Sequence, residues 1–191
     1  MRRILVFLFA VGAIPVAANA ALEAGDSAPA FEASASLNGK TFEFSLSKAL
    51  GDGTVVVYFY PSAYTGGCNI QAHEFSENMD AFQAAGASVI GVSLDSIERL
   101  SEFSADPDYC AGKLAVASDP TGTIAKSYDL KVRGAVEGAK DTRGKEIGHG
   151  FAERVTFIVT PDGHIAETIG GLSPAENVRK SLEAVQRLQA D

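Results

Sequence analysis

The sequence predicts an α/β domain in which a mixed sheet is covered by helices, and three features carry that prediction. Thr54 to Tyr60 (TVVVYFY) is an unbroken run of β-branched and aromatic residues, the pattern of a central strand buried on both faces. Helical and strand-like segments then alternate downstream of it. The chain closes on a strand–turn–strand followed by one more helix, which adds antiparallel strands to the sheet.

Taken in order, Gly25 to Pro29 is a turn-rich lead-in. Phe31–Ala35 and Thr41–Phe44 flank Leu37-Asn38-Gly39-Lys40, and Asn-Gly favours a tight turn, so this is read as an N-terminal hairpin. Residues 71–85 have helical spacing, with Phe75, Met79 and Phe82 on one side and Gly86 as the stop. Residues 88–93 form a second buried strand, 97–104 a helix, 114–117 a third strand and 123–128 a short helix. Residues 154–159 and 165–169 pair across Pro161-Asp162-Gly163. Ser173 caps the last helix, with Pro174 in its first turn. Residues 131–153, with five glycines, are left as one long loop.

Composition narrows the function classes. The chain has 191 residues, 46% hydrophobic and 21% charged, enough for one domain with a substantial core and too apolar for disorder. A formal charge of −8 argues against nucleic acid or an anionic membrane as partner, since both demand a basic face. Two cysteines cannot make a disulfide scaffold, so their importance is chemical.

The first twenty residues stand apart. Arg2 and Arg3, the apolar run Ile4–Ala17 and Ala18-Asn19-Ala20 form a basic start, a hydrophobic stretch and a small-x-small cleavage site. They read as a secretory signal peptide over residues 1–20, leaving a single domain over 21–191. The run is too short for a membrane span, and Gly12 and Pro15 interrupt it. Cleavage removes two of the 16 basic residues and none of the 24 acidic ones, taking the charge from −8 to −10. The expected location is periplasmic or secreted, with no membrane contact after cleavage.

The chemistry gathers just after the central strand, in Pro61-Ser62-Ala63-Tyr64-Thr65-Gly66-Gly67-Cys68. Cys68 falls at the first turn of a helix, where unpaired backbone N–H groups and the helix dipole favour an anionic sulfur. Gly66 and Gly67 let the backbone approach a small substrate. Thr65 supplies a hydroxyl three residues before the sulfur, and Pro61 rigidifies the entry. An inert buried cysteine is the competing reading. His73, His149 and His164 show no close ligand spacing with the cysteines, so no metal site is expected, and no cofactor either. Thr65 and Gln71 flank Cys68 where a Cys-x-x-Cys exchange motif would need a second cysteine.

Pro61-x-x-x-Thr65-x-x-Cys68 resembles the active-site motif of peroxiredoxins, and VVVYFYPSAYTGGCNIQAHEF resembles the bacterioferritin-comigratory, or Q-type, branch of that family. The likeness extends through Gly25-Asp26-x-Ala28-Pro29-x-Phe31, the 89–93 strand with Asp95-Ser96, Ser118-Asp119-Pro120 and Arg154-x-Thr156-Phe157-Ile158-Val159. The resemblance implies a thioredoxin-like fold and a thiol-dependent peroxidase for hydrogen peroxide and organic hydroperoxides. It makes Cys68 the peroxidatic cysteine, Thr65 a hydrogen-bond partner of thiolate and peroxide, Arg154 the holder of the thiolate, and Pro61 the shield. A thioredoxin-like protein or low-molecular-weight thiol would act as reductant, with a monomer or weak dimer as the assembly.

The branch often places a resolving cysteine five residues after the first; here that position is His73. Cys110 is then the candidate resolving cysteine, against a single-cysteine mechanism with an external thiol. A catalytically silent secreted binding or holdase module on the same fold is the alternative function.

Overall fold

The computed structural model describes residues 21–190, so the expected signal at 1–20 lies outside the described residues. A seven-stranded mixed sheet forms the centre: β1 (Glu32–Leu37), β2 (Lys40–Ser45), β3 (Thr54–Phe59), β4 (Ala87–Ser93), β5 (Ala115–Ser118), β8 (Val155–Val159) and β9 (Ile165–Gly170). Their order is β2-β1-β5-β4-β3-β8-β9. β3 runs parallel to β4 and antiparallel to β8, with Val57 facing Ile90 on one side and Phe157 on the other. Its apolar run is continuous because both edges are paired and both faces covered.

Side-chain alternation along β3 separates two cores. Val56 and Tyr58 face one layer with Phe75, Phe82, Leu100, Phe103 and Val185. That layer holds α2 (Gly66–Glu77), α3 (Met79–Ala84), α4 (Ile97–Ala105) and α6 (Pro174–Ala190). Val55, Val57 and Phe59 face the other, with Leu46, Ala125, Tyr128 and Phe157. There the cover is two short helices, α1 (Leu46–Ala49) and α5 (Thr123–Ser127).

The hairpin forms as expected: Asn38 and Gly39 both take positive φ, 51° and 73°, at the turn between β1 and β2. Two expectations change. The helix expected over 71–85 starts earlier, at Gly66, and is broken in two at Asn78, whose backbone leaves helical geometry while its side-chain amide donates to the Glu74 carbonyl at 2.8 Å. The segment 131–153 is not featureless. It carries a two-stranded ribbon, β6 (Val132–Arg133) with β7 (Phe151–Ala152), and its middle folds back over the start of α2.

Candidate active site

The expected site residues converge where β3 ends and α2 begins, at the carboxyl end of a central strand. Thr65, in extended conformation, is the N-cap of α2, and Cys68 is its third residue. The amides of Gly66, Gly67 and Cys68 fall in the first turn, where the helix has no acceptor for them. Cys68 is buried, 2% exposed.

Arg154 arrives from the residue before β8. Its Nη2 donates to Cys68 Sγ at 3.2 Å. Its Nη1 donates to Gln71 Oε1. Gln71 in turn donates to Asn177 Oδ1 at 2.9 Å, and that oxygen also accepts from Thr156 at 2.7 Å. Asn177 closes the chain by donating to the Ile169 carbonyl at 3.0 Å. The guanidinium is thus fixed from behind by a buried amide relay linking α2, α6 and the β8–β9 hairpin. Gly67 eases the same geometry: a Cβ there would stand 3.2 Å from Arg154 Nη2 and 3.3 Å from Pro174, so one of these neighbours would have to shift by a few tenths of an ångström. Gly66 has open space around it, which leaves the approach to the first turn clear.

The Thr65 hydroxyl donates to the Ser62 carbonyl at 2.8 Å. Among the described residues, the hydrogen-bond partner of the Cys68 sulfur is Arg154. What Thr65 has left to offer is the acceptor capacity of its oxygen. Pro61 lies beside Arg154 at the rim of a shallow cleft. His73, in the place five residues after Cys68, is exposed, and its Nδ1 meets the Asp108 carbonyl at 3.2 Å. It ties α2 to the segment that carries Cys110. Cys110 is a free, fully buried thiol in the same core cluster as Cys68. Burial, reinforced by nearby Asp106, pushes its pKa well above the usual thiol range.

A second group of residues, hidden in the sequence, braces the loop from the other side. Asp95, with no exposed surface, follows β4 and accepts from Ser62 Oγ at 2.9 Å, Ala63 N at 2.8 Å and Ser93 Oγ at 2.7 Å. It also receives Arg99 Nε and His149 Nε2, each at 2.8 Å. Arg99 continues to the Ala63 carbonyl at 2.8 Å and to buried Asp141 at 2.9 Å. The Thr142 amide and hydroxyl both donate to the Tyr64 carbonyl, at 2.8 and 2.9 Å. Arg143 lies over the Tyr64 ring, its guanidinium carbon 3.2 Å from the centroid. Tyr64 itself sits at φ 59°, a left-handed conformation costly for a tyrosine, and these contacts are what hold it there.

Glu102 belongs to the same brace. It pairs with Arg143 at 2.9 Å and Lys145 at 3.2 Å, although half-exposed pairs of this kind contribute little stability.

His149 has an acceptor on each nitrogen: the Gly150 carbonyl 2.7 Å from Nδ1 and Asp95 2.8 Å from Nε2. Both contacts are satisfied only by the doubly protonated ring. Burial disfavours that cation, but Asp95 and the Gly150 carbonyl together outweigh it, and the pKa of His149 rises above its ordinary 6.5. Asp95 moves the opposite way; burial would raise it, yet His149 and the Ala63 amide hold it below its ordinary 3.8. The pair therefore gives its full stabilisation between those two ordinary values. It loses that contribution as pH climbs through the raised pKa of His149, or falls through the lowered one of Asp95. Thermal unfolding followed against pH is expected to show a falling alkaline limb in the wild type that flattens in His149→Gln. An identical limb in both proteins would contradict the assignment.

Among the described residues, no group of three or more His, Cys, Asp and Glu is arranged to hold a metal ion.

Residues 24–168 match the model of the AhpC/TSA family. Peroxiredoxin Bcp of Escherichia coli K12 is 34% identical over 145 residues, spanning 75% of this chain and 83% of that protein. The crystal structure of peroxidoxin BcpB from Mycobacterium tuberculosis superposes with a TM-score of 0.72 at 26% identity, covering 87% of this chain and 98% of the other. Peroxiredoxin Q of Xanthomonas campestris follows at 0.64 and 26%, covering 82% and 90%. The mixed sheet flanked by helices is the thioredoxin-like fold of these proteins.

Proposed function

The chain belongs to the AhpC/TSA family of peroxiredoxins, thiol-dependent peroxidases, and from that premise we propose that Cys68 is its peroxidatic residue and Arg154 the cation that serves it. The silent binding-module alternative has no support among these relatives. The observation that carries the assignment is the 3.2 Å contact between Arg154 and a sulfur at the third position of α2.

The Cys68 thiolate attacks one oxygen of the peroxide, the O–O bond breaks, and the departing alkoxide or hydroxide takes up a proton. The sulfur leaves as sulfenic acid, oxidised by the two electrons that reduce the peroxide. Arg154 and the free amides of the first turn face the charge as it moves from sulfur to the leaving oxygen. In this reading the Thr65 oxygen accepts the peroxide O–H, while its own hydrogen stays on the Ser62 carbonyl. Pro61 covers the approach, and open space at Gly66 admits the substrate.

Cys110 is the resolving partner in this reading. Its thiol condenses with the sulfenic acid to a disulfide, releasing water, and a thiol reductant then restores both sulfurs. Full burial means that the 106–114 turn must open first. Ala111 and Gly112 hold that turn in left-handed conformations, φ 52° and 68°. Peptide mass spectrometry after one equivalent of hydrogen peroxide is expected to show a Cys68–Cys110 peptide. A sulfenic or sulfinic acid on Cys68 with Cys110 still free would overturn resolution by Cys110 and leave the external thiol.

Export rests on the N-terminal pattern alone, with a periplasmic or secreted monomer or weak dimer as the outcome. Protein recovered from outside the cytosol should begin at Ala21. Recovery only from the cytosol, with Met1 intact, would refute it.

A further inference from the structure

Pro61, Lys131, Arg133, Ala152, Glu153 and Arg154 line a cleft of about 340 Å³ that opens beside the active-site arginine. Arginines elsewhere in the described chain are committed: Arg99, Arg143, Arg179 and Arg187 each lie within 4 Å of a carboxylate. The remaining two among the described residues, Arg133 and Arg154, have no such partner, and both line this cleft. Among the described residues, the Lys131 ammonium is likewise without a carboxylate partner within 4 Å. Glu153, the one acid in the lining, turns its carboxylate to the Lys131 backbone amide at 3.4 Å.

The ribbon aims these charges deliberately. Lys131, just before β6, and Arg133 within it both line the cleft, while Val132 between them packs inward against the core. β7 and the Arg154 backbone continue directly into β8, which fixes the distance from the ribbon to the catalytic sulfur. A chain of charge −8 has thus gathered three cations at one cleft beside its reactive centre. Local concentration of anions there works against the field of the whole molecule.

We propose that Lys131 and Arg133 form a carboxylate subsite for the reductant, and that the preferred reductant is a small thiol bearing one or more carboxylates. The inference rests on the peroxidase reading of Cys68. Four of the six residues lining the cleft are charged, and neutral hydrogen peroxide offers Lys131 and Arg133 no charge to pair with. A reductant, by contrast, must arrive as a thiolate, so the same cations favour both its reacting end and its carboxylate. In the step itself, two such thiols become one disulfide and give two electrons and two protons to the oxidised enzyme. A sulfenic acid is returned as the thiol with its oxygen released as water; an enzyme disulfide is returned as two thiols.

The test pairs thiols of similar size, 3-mercaptopropionate against 2-mercaptoethanol, on protein whose Cys68 has first been oxidised with hydrogen peroxide. The yield of that oxidation reads the peroxidase assignment separately, before any thiol is added. Wild type is expected to be re-reduced about tenfold faster by the carboxylate thiol, the size of effect one or two screened surface charge pairs give. The advantage should vanish in Lys131→Gln/Arg133→Gln and shrink as ionic strength rises, while oxidation by hydrogen peroxide is unchanged. Binding is read independently from the backbone amides of 131–133 during titration with succinate, which cannot react. Equal rates for the two thiols, or an advantage that survives the double substitution, would overturn the subsite. So would an advantage confined to a carboxylate-bearing hydroperoxide in the oxidation step, which would assign the cleft to the peroxide instead.

Discussion

Arg154→Met is expected to lower kcat/KM for hydrogen peroxide by about 10²–10³-fold, the cost of removing one donor aimed at developing charge. The methionine fills the space but leaves Cys68 without its hydrogen-bond donor. It also strands the Gln71 carbonyl oxygen in a buried site, which should cost about 1–3 kcal/mol of stability. Arg154→Lys separates the two effects. A lysine keeps the charge but offers no planar fork, so it cannot serve Cys68 and Gln71 together. Activity should recover only in part while stability recovers more. Stopped-flow oxidation together with urea unfolding reads both quantities. Wild-type rates in Arg154→Met would remove the guanidinium from the chemistry.

Asp95→Ala should be the most damaging change outside the Cys68–Arg154 pair. Five donors converge on this buried carboxylate, among them the Arg99 guanidinium and the His149 ring. Removing one partner of such a buried charge network typically costs about 3–5 kcal/mol. Here the loss falls on Ser62 and Ala63, so the loop that positions Thr65 and Cys68 loses its floor. Reduced kcat at peroxide concentrations that saturate the wild type is expected, along with a lower unfolding midpoint. Asp95→Asn keeps the volume and can still accept from Arg99 or His149, so it should retain more of both. Equal stability in Asp95→Ala and wild type would mean that the brace is not load-sharing.

The two halves of the site differ in how far the sequence discloses them. Pro61, Thr65 and Cys68 lie within eight consecutive residues between a buried strand and a helix, so their convergence is a local matter. Arg154 becomes visible through its place before the 155–159 strand and through the family motif, because its partner is 86 residues away. Gln71 and Asn177 are 106 residues apart and meet only when α6 docks on α2. Gln71 enters the sequence reading merely as the residue that is not a second cysteine. Its position on the helix turn after Cys68, facing the same side, is the signal that points to it.

The brace of Asp95, Arg99, Asp141, Arg143 and His149 is harder still to foresee. Its members come from two segments with no shared motif, and one of them is a glycine-rich stretch whose composition suggests an irregular loop. Asp95 alone carries a clue, as a carboxylate at the carboxyl end of a buried parallel strand. The sheet and its order of elements are legible because hydrophobic period and turn residues act over short range. The broken helix is not, since it depends on Asn78 turning its side-chain amide onto the Glu74 carbonyl, a local contact that competes with continued helix.

The central claim is that Cys68, and not Cys110, receives the peroxide oxygen. The most direct measurement is to oxidise Cys110→Ser with one equivalent of hydrogen peroxide in the presence of a sulfenic-acid trap and map the modified peptide. Cys68 is predicted to carry the trap at near one equivalent, and Cys68→Ser to carry none and to consume peroxide no faster than buffer. Peroxide consumption by Cys68→Ser at the wild-type rate, or an unmodified Cys68 after the oxidant is spent, would contradict the account.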